Sequence, residues 1–161
     1  MQRSLSQRIN IILLAGTTAI GAALFAPAST ADSFRPYEPA FLRQAERALR
    51  RNAPERALEI VTVKQQGSLK TQHRADALGV SCRAHLALGS PVEAREACLA
   101  ALELDRSRSS WRYLNNLGVA ELALGNYDAA ETAFTRAATV SGWASTPRKN
   151  LLLLSQVREA R

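Results

Sequence analysis

One stretch of this sequence occurs twice, and the distance between the copies limits what the chain can fold into. Residues 86–94 read LALGSPVEA, and residues 122–130, which lie 36 positions later, read LALGNYDAA. A fainter copy, LRRNAPERA, lies at residues 49–57. A period of roughly 20 to 50 residues indicates that each copy is one supersecondary unit stacked on its neighbours. The sequence therefore predicts a repeat architecture.

Each copy has the pattern of two helices joined by a tight turn. In the third copy the apolar residues recur at the three- and four-residue spacing of one helix face: Leu114, Leu117, Ala120 and Leu124. The turns contain Gly89 in the second copy and Gly125 in the third, and glycine readily adopts the left-handed conformation that ends a helix. Asn52, the next most suitable residue, takes this place in the first copy. The pattern predicts helical hairpins.

Capping residues and small side chains agree with this interpretation. Ser90 and Glu93 have the spacing of a capping box at the start of a helix, and Asn126 is predicted to cap the corresponding helix of the third copy. Alanine recurs at one place on each second helix, where a small side chain lets two helices approach to ~8–10 Å: Ala57, Ala94 and Ala130. These residues together predict an all-α stack.

On these residues the third copy, 111–144, resembles a tetratricopeptide repeat (TPR). It has the residue types of that family's signature at Leu114, Leu117, Gly118, Gly125, Tyr127, Ala130, Phe134 and Ala137. The second copy, 75–108, has Cys82 at the small position and Cys98 at the aromatic position, and the first, 38–71, retains Phe41, Ala45 and Ala57. The resemblance implies an antiparallel helix-hairpin solenoid of about three repeats.

A further helix is predicted after the third copy. Residues 147–160 have one apolar stripe, formed by Leu151, Leu154 and Val157. We interpret this segment as a capping helix, because a solenoid needs its last apolar face covered. The alternative is half of a fourth repeat. The TPR-like domain is thus expected to span residues 38–161.

The N-terminus has the features of a secretory signal, which we place at residues 1–31, followed by a short linker at 32–37. Two arginines precede an uncharged run at residues 9–25, and small residues follow it. Cleavage is expected after residue 28 or after residue 31, since both sites have the small-x-small form. The alternative is a retained anchor, and only then is a membrane contact expected. We predict export, to the bacterial periplasm or out of the cell.

The charge of the chain gives little support for a nucleic-acid partner. The formal net charge is +7, from 21 Lys and Arg against 14 Asp and Glu. The charges are interspersed, and no basic run after the signal is longer than the two residues of Arg50-Arg51, which is too short for a polybasic patch. We expect another protein, and no nucleic acid, as the partner.

The only two cysteines are predicted to lie opposite each other on neighbouring helices. Cys82 lies six residues before the predicted end of its helix near Leu88, and Cys98 lies seven residues after the next helix begins at Pro91, so they share one height on facing helices. At a helix separation of ~8–10 Å their Cα atoms fall near disulfide distance. A disulfide and two buried thiols both remain open at this point.

No catalytic or metal-binding set can be assembled from the sequence. His73 and His85 have no serine or cysteine at a spacing that suggests a triad, and there is no phosphate-binding loop, paired cysteine doublet or HExxH motif. We therefore expect no enzyme activity, no metal and no cofactor. A cell-wall hydrolase is the least favoured function, because paired catalytic acids are lacking.

The TPR resemblance implies a concave groove lined by the first helix of each repeat. The exposed positions of those helices, which would bind a peptide or helix, are Arg43, Glu46, Arg50, Asp76, Arg83, Arg112, Asn115, Asn116 and Val119. Arginine and asparagine suit this role because they form paired hydrogen bonds with carboxylates and peptide groups. The leading hypothesis is a non-enzymatic exported scaffold. The alternative is a small assembly or secretion chaperone within a larger cell-envelope complex.

Overall fold

The computed structural model describes residues 38–105 and 110–159. The predicted signal at 1–31, the linker at 32–37 and the loop at 106–109 lie outside the described residues. The described chain forms seven α-helices and no strand. They are α1 (Ala40–Arg50), α2 (Pro54–Gln65), α3 (Thr71–Ala87), α4 (Pro91–Leu104), α5 (Trp111–Ala123), α6 (Tyr127–Ser141) and α7 (Ser145–Glu159).

The helices form three antiparallel hairpins in a row, with α7 packed at the end. The hairpins are α1/α2, α3/α4 and α5/α6, and α7 packs on α6 and α5. Substantial contacts between different hairpins always involve an odd-numbered helix, and α3 contacts both α1 and α5. The fold prediction, a helix-hairpin solenoid, is confirmed. None of the described helices is both long and apolar enough to cross a membrane.

The three predicted turns have the left-handed residue that the sequence suggests. The backbone φ angle is 55° at Asn52, 71° at Gly89 and 79° at Gly125. In each turn a backbone hydrogen bond also connects residues five positions apart, such as that from the Ser90 N–H to the His85 carbonyl at 2.9 Å. This bond satisfies a carbonyl at the end of the first helix.

The predicted side-chain caps are wrong. Neither Ser90 nor Asn126 makes a side-chain capping bond in the structure. A capping box at Ser90 would need its N–H to donate to the Glu93 carboxylate, but this N–H already donates to the His85 carbonyl. The amide of Asn126 donates instead to a carboxylate oxygen of Glu121 at 2.7 Å, because a charged acceptor forms the stronger bond.

One pair of positions, 16 residues apart in the sequence, is equivalent in the three hairpins. In the second hairpin this pair is Cys82 and Cys98, which form a disulfide with 5.2 Å between their Cα atoms and a sequence separation of 16. The pair with the same spacing is Gly118 and Phe134 in the third hairpin, and Ala45 and Val61 in the first. All six residues are buried.

The third-hairpin pair shows what this position requires. A Cβ atom on Gly118 would lie 2.5 Å from the ring of Phe134, so the ring fits only because residue 118 has no side chain. In the second hairpin neither side has a large residue, and a covalent bond joins the helices in place of a packed ring. The disulfide thus occupies the site of a packing contact.

Helix α7 has the surface of a terminal cap. Leu154, Pro147 and Asn150 are buried against the stack. The exposed residues are mainly polar or charged: Ser145, Arg148, Lys149, Leu152, Ser155, Gln156 and Glu159. Arg158 also pairs with Glu131 at 2.7 Å and with Asp128 at 2.5 Å on α6. A polar outer face is what a terminal repeat requires for solubility.

We expect the double variant Cys82→Ala/Cys98→Val to fold and to lose its sensitivity to reductant. This variant places at positions 82 and 98 the residue types that the first hairpin has at Ala45 and Val61. Reduction of the wild-type protein should lower the free energy of unfolding by about 3 kcal/mol, because the bond restricts the unfolded chain. Thermal unfolding followed by circular dichroism, with and without dithiothreitol, measures both effects. An equal response of the two proteins to dithiothreitol would contradict this prediction.

Candidate protein-binding face

The odd-numbered helices form one face of the stack, which we call the inner face. Side-chain hydrogen bonds connect each of these helices to the next: Arg83 donates to Glu46 at 2.6 Å, Tyr113 to Asp76 at 2.9 Å and Asn150 to Asn115 at 2.9 Å. The partners are 37, 37 and 35 residues apart, so each bond spans about one repeat. Polar groups of the inner face therefore link the repeats to one another.

The first of these links is a partly exposed ion pair. The side chains of Arg83 and Glu46 are 34% and 26% exposed. An ion pair in such a position contributes roughly 0–1 kcal/mol to stability. Its main effect on the inner face is that the negative charge of Glu46 already has a partner.

The second link depends on a glycine inside a helix. A Cβ atom at Gly79 on α3 would lie 2.3 Å from the ring of Tyr113 on α5, so the ring packs directly against the α3 backbone. The Tyr113 hydroxyl then reaches Asp76, one turn earlier on α3. Tyr113 was missed in the sequence analysis. The available signal was Gly79, because a glycine in a helix interior often marks a close approach.

The third link buries residues that the groove prediction expected to be exposed. Asn115 is 4% exposed, Asn116 6% and Val119 5%. The expectation that these three side chains are open to a ligand is therefore corrected. Asn150 of α7, itself 3% exposed, bonds to Asn115.

The exposed part of the inner face is basic. Arg43 and Arg50 on α1 are exposed, and Arg43 donates a hydrogen bond to the Glu38 carbonyl. The guanidinium of Arg112 on α5 lies 4.9 Å from the ring centroid of Trp111, which is a cation–π distance. The two acids of the predicted groove, Glu46 and Asp76, are bonded to Arg83 and Tyr113. Positive charge is therefore what the inner face presents to solvent.

The described residues do not assemble a metal-binding centre. Within this part of the chain, no three His, Cys, Asp or Glu side chains are close enough to hold a metal ion. His73 and His85 are both half-buried on α3. The cysteines are joined to each other and fully buried, so neither is a thiol available for reaction.

Comparison with solved structures supports the fold. The chain is similar to the first TPR domain of the human RPAP3 protein, solved by NMR, with a TM-score of 0.66 and 16% sequence identity. The match covers 74% of this chain and 91% of that one. No protein-family model matches the sequence, and neither does any curated protein. At this identity the likeness shows a TPR-like fold alone.

We expect the buried amide pair to behave as a unit. Asn115→Leu or Asn150→Leu alone should lower the free energy of unfolding by about 1–3 kcal/mol, because each leaves one buried amide without a partner. The double variant should be less destabilised than the sum of the two, because no unpaired amide remains. Urea denaturation of the four proteins gives the coupling energy. Additive losses would show that the pair does not connect α5 to α7.

Proposed function

We propose that this protein is an exported, non-enzymatic scaffold that binds an extended or helical segment of another protein on its inner face. The TPR-like fold supports a role in protein–protein interaction in general. The proposed site on the inner face rests on a difference between its acidic and basic side chains. Its acids are bonded within the stack, whereas Arg43 and Arg50 are exposed.

Two observations favour a site toward the N-terminal half of the stack. On the last hairpin Asn115 and Asn116 are buried, and Asn115 bonds to Asn150 of α7. Between α1 and α3, the Glu46–Arg83 pair is only partly buried and lies beside exposed arginines. Arginine suits this role because its planar fork binds carboxylates with two parallel hydrogen bonds.

Two features support export. The uncharged run at residues 9–25 and the small residues after it have the form of a cleaved signal. A disulfide between fully buried cysteines suits an oxidising compartment such as the bacterial periplasm.

We expect the purified protein to lack its first residues. Because both candidate cleavage sites have the small-x-small form, the mature N-terminus should be Ser29 or Asp32. Intact mass spectrometry of the protein from a periplasmic extract measures this directly. Recovery of the protein with Met1 or residues 9–25 intact in the membrane fraction would contradict cleavage and indicate a retained anchor.

We expect a partner to contact α1 on the inner face. A photo-crosslinking amino acid at position 43 or 50, introduced in the producing cells, should yield an adduct of the same added mass from both positions. The same amino acid at position 64 or 136, on the even-numbered helices, is the control. Adducts of equal yield from all four positions, or from 64 and 136 alone, would contradict the proposed site.

The segment identified by crosslinking then allows a measurement of affinity. Arg43→Gln/Arg50→Gln should weaken binding about five- to thirtyfold, from two exposed ion pairs of roughly 0.5–1 kcal/mol each. Lys64→Gln/Arg136→Gln makes the same change in net charge at exposed sites on the even-numbered helices and should leave the affinity unchanged.

A further inference from the structure

A tryptophan in the turn between α6 and α7 is exposed and lies outside the hydrophobic core. Trp143 is 67% exposed, more than any other large hydrophobic residue in the described part of the chain. Its ring meets the buried Trp111 edge-on, with 5.9 Å between ring centroids. Val140, which is 38% exposed, lies one turn earlier at the end of α6. One edge of the Trp143 ring thus rests on the protein and the remainder faces solvent.

The backbone that presents Trp143 is fixed by several bonds. Gly142 has a φ of 64°, which favours glycine, and the Trp143 N–H donates to the Ser141 carbonyl at 2.7 Å. The guanidinium of Arg148 donates to the carbonyls of Gly142 at 2.6 Å and Ala144 at 3.3 Å. A partner that binds Trp143 does not need to order this turn first, which removes one cost of association.

The stretch of sequence that contains Trp143 has basic residues and no acid. Arg148 and Lys149, in the first turns of α7, are exposed, and neither has a carboxylate partner among the residues that the structure describes. The sequence has no Asp or Glu between residues 132 and 158. We call Val140, Trp143, Arg148 and Lys149 together the Trp143 edge.

We propose that the Trp143 edge is a second protein-binding surface, which takes an acidic segment carrying an apolar side chain. The apolar side chain packs on the Trp143 ring and Val140, and the carboxylates of the segment pair with Arg148 and Lys149. Tryptophan and arginine are the residue types that most often dominate the energy of protein interfaces. The surface lies at the α6–α7 turn rather than between α1 and α3, so it is separate from the site proposed above.

The same residue types also occur where proteins touch lipid headgroups. Attachment to a lipid surface, however, takes an apolar face along a helix or more than one anchor. The Trp143 edge has one ring and one half-exposed valine. Arg148 and Lys149 have no carboxylate partner among the described residues, and this favours an acidic polypeptide as the occupant.

Selection from a displayed library of random twelve-residue peptides tests the proposal. The target is the protein as purified from the producing cells, with its disulfide intact. Selected peptides should be rich in Asp and Glu around an apolar residue, and their binding should change the fluorescence of Trp143. Trp111 is buried, so the Trp143→Phe variant identifies the source of the signal.

Matched variants decide the outcome. Trp143→Ala should lower the affinity for a selected peptide at least tenfold. Lys149→Glu should lower it several-fold and should make the affinity less dependent on salt concentration. Lys70→Glu makes the same exchange at another helix N-terminus and should have no effect. Val63→Ala removes an exposed apolar side chain elsewhere and should also have none. Circular dichroism confirms that each variant is folded.

Three results would overturn the proposal. The first is a selection without enrichment of acids. The second is a set of peptides that bind Trp143→Ala and Lys149→Glu as tightly as the wild type. The third is a shift of Trp143 emission on vesicles of anionic phosphatidylglycerol when no peptide is selected, since this would assign the surface to lipid.

Discussion

The contact between the two helices of each hairpin is the constraint on which the rest of the structure depends. One pair of equivalent buried positions in each hairpin differs in chemistry between the hairpins: Ala45 with Val61, Cys82 with Cys98, and Gly118 with Phe134. The positions are the same in the three repeats, whereas the residues that occupy them are not. A small residue opposite a large one and a disulfide between two small ones are alternative ways to fill one space.

The inner face shows a conflict between holding the stack together and binding a ligand. A TPR-like stack presents polar side chains on this face, and here several of them bond to the next odd-numbered helix. A side chain that satisfies a neighbouring repeat is no longer available to a peptide unless that bond opens. Of the nine candidate residues, Arg43 and Arg50 are the exposed ones, and both lie on α1.

The sequence predicts local features of this fold better than contacts between repeats. Gly89, Gly125 and Asn52 are correctly predicted as left-handed, because the conformation of a turn depends on its own residues. The burial of Asn115 could not be predicted in this way, since Asn115 bonds to Asn150 of α7, 35 residues later in the chain. Asn126 failed as a cap for a different reason, because its amide donates to Glu121, only five residues earlier.

The charges at the two ends of the stack oppose association of one copy with the next. Exposed arginines on α1 (Arg43, Arg47 and Arg50) lie at one end, and Arg148 and Lys149 on α7 lie at the other. A head-to-tail contact between copies would bring these like charges together, which is unfavourable and discourages open-ended stacking.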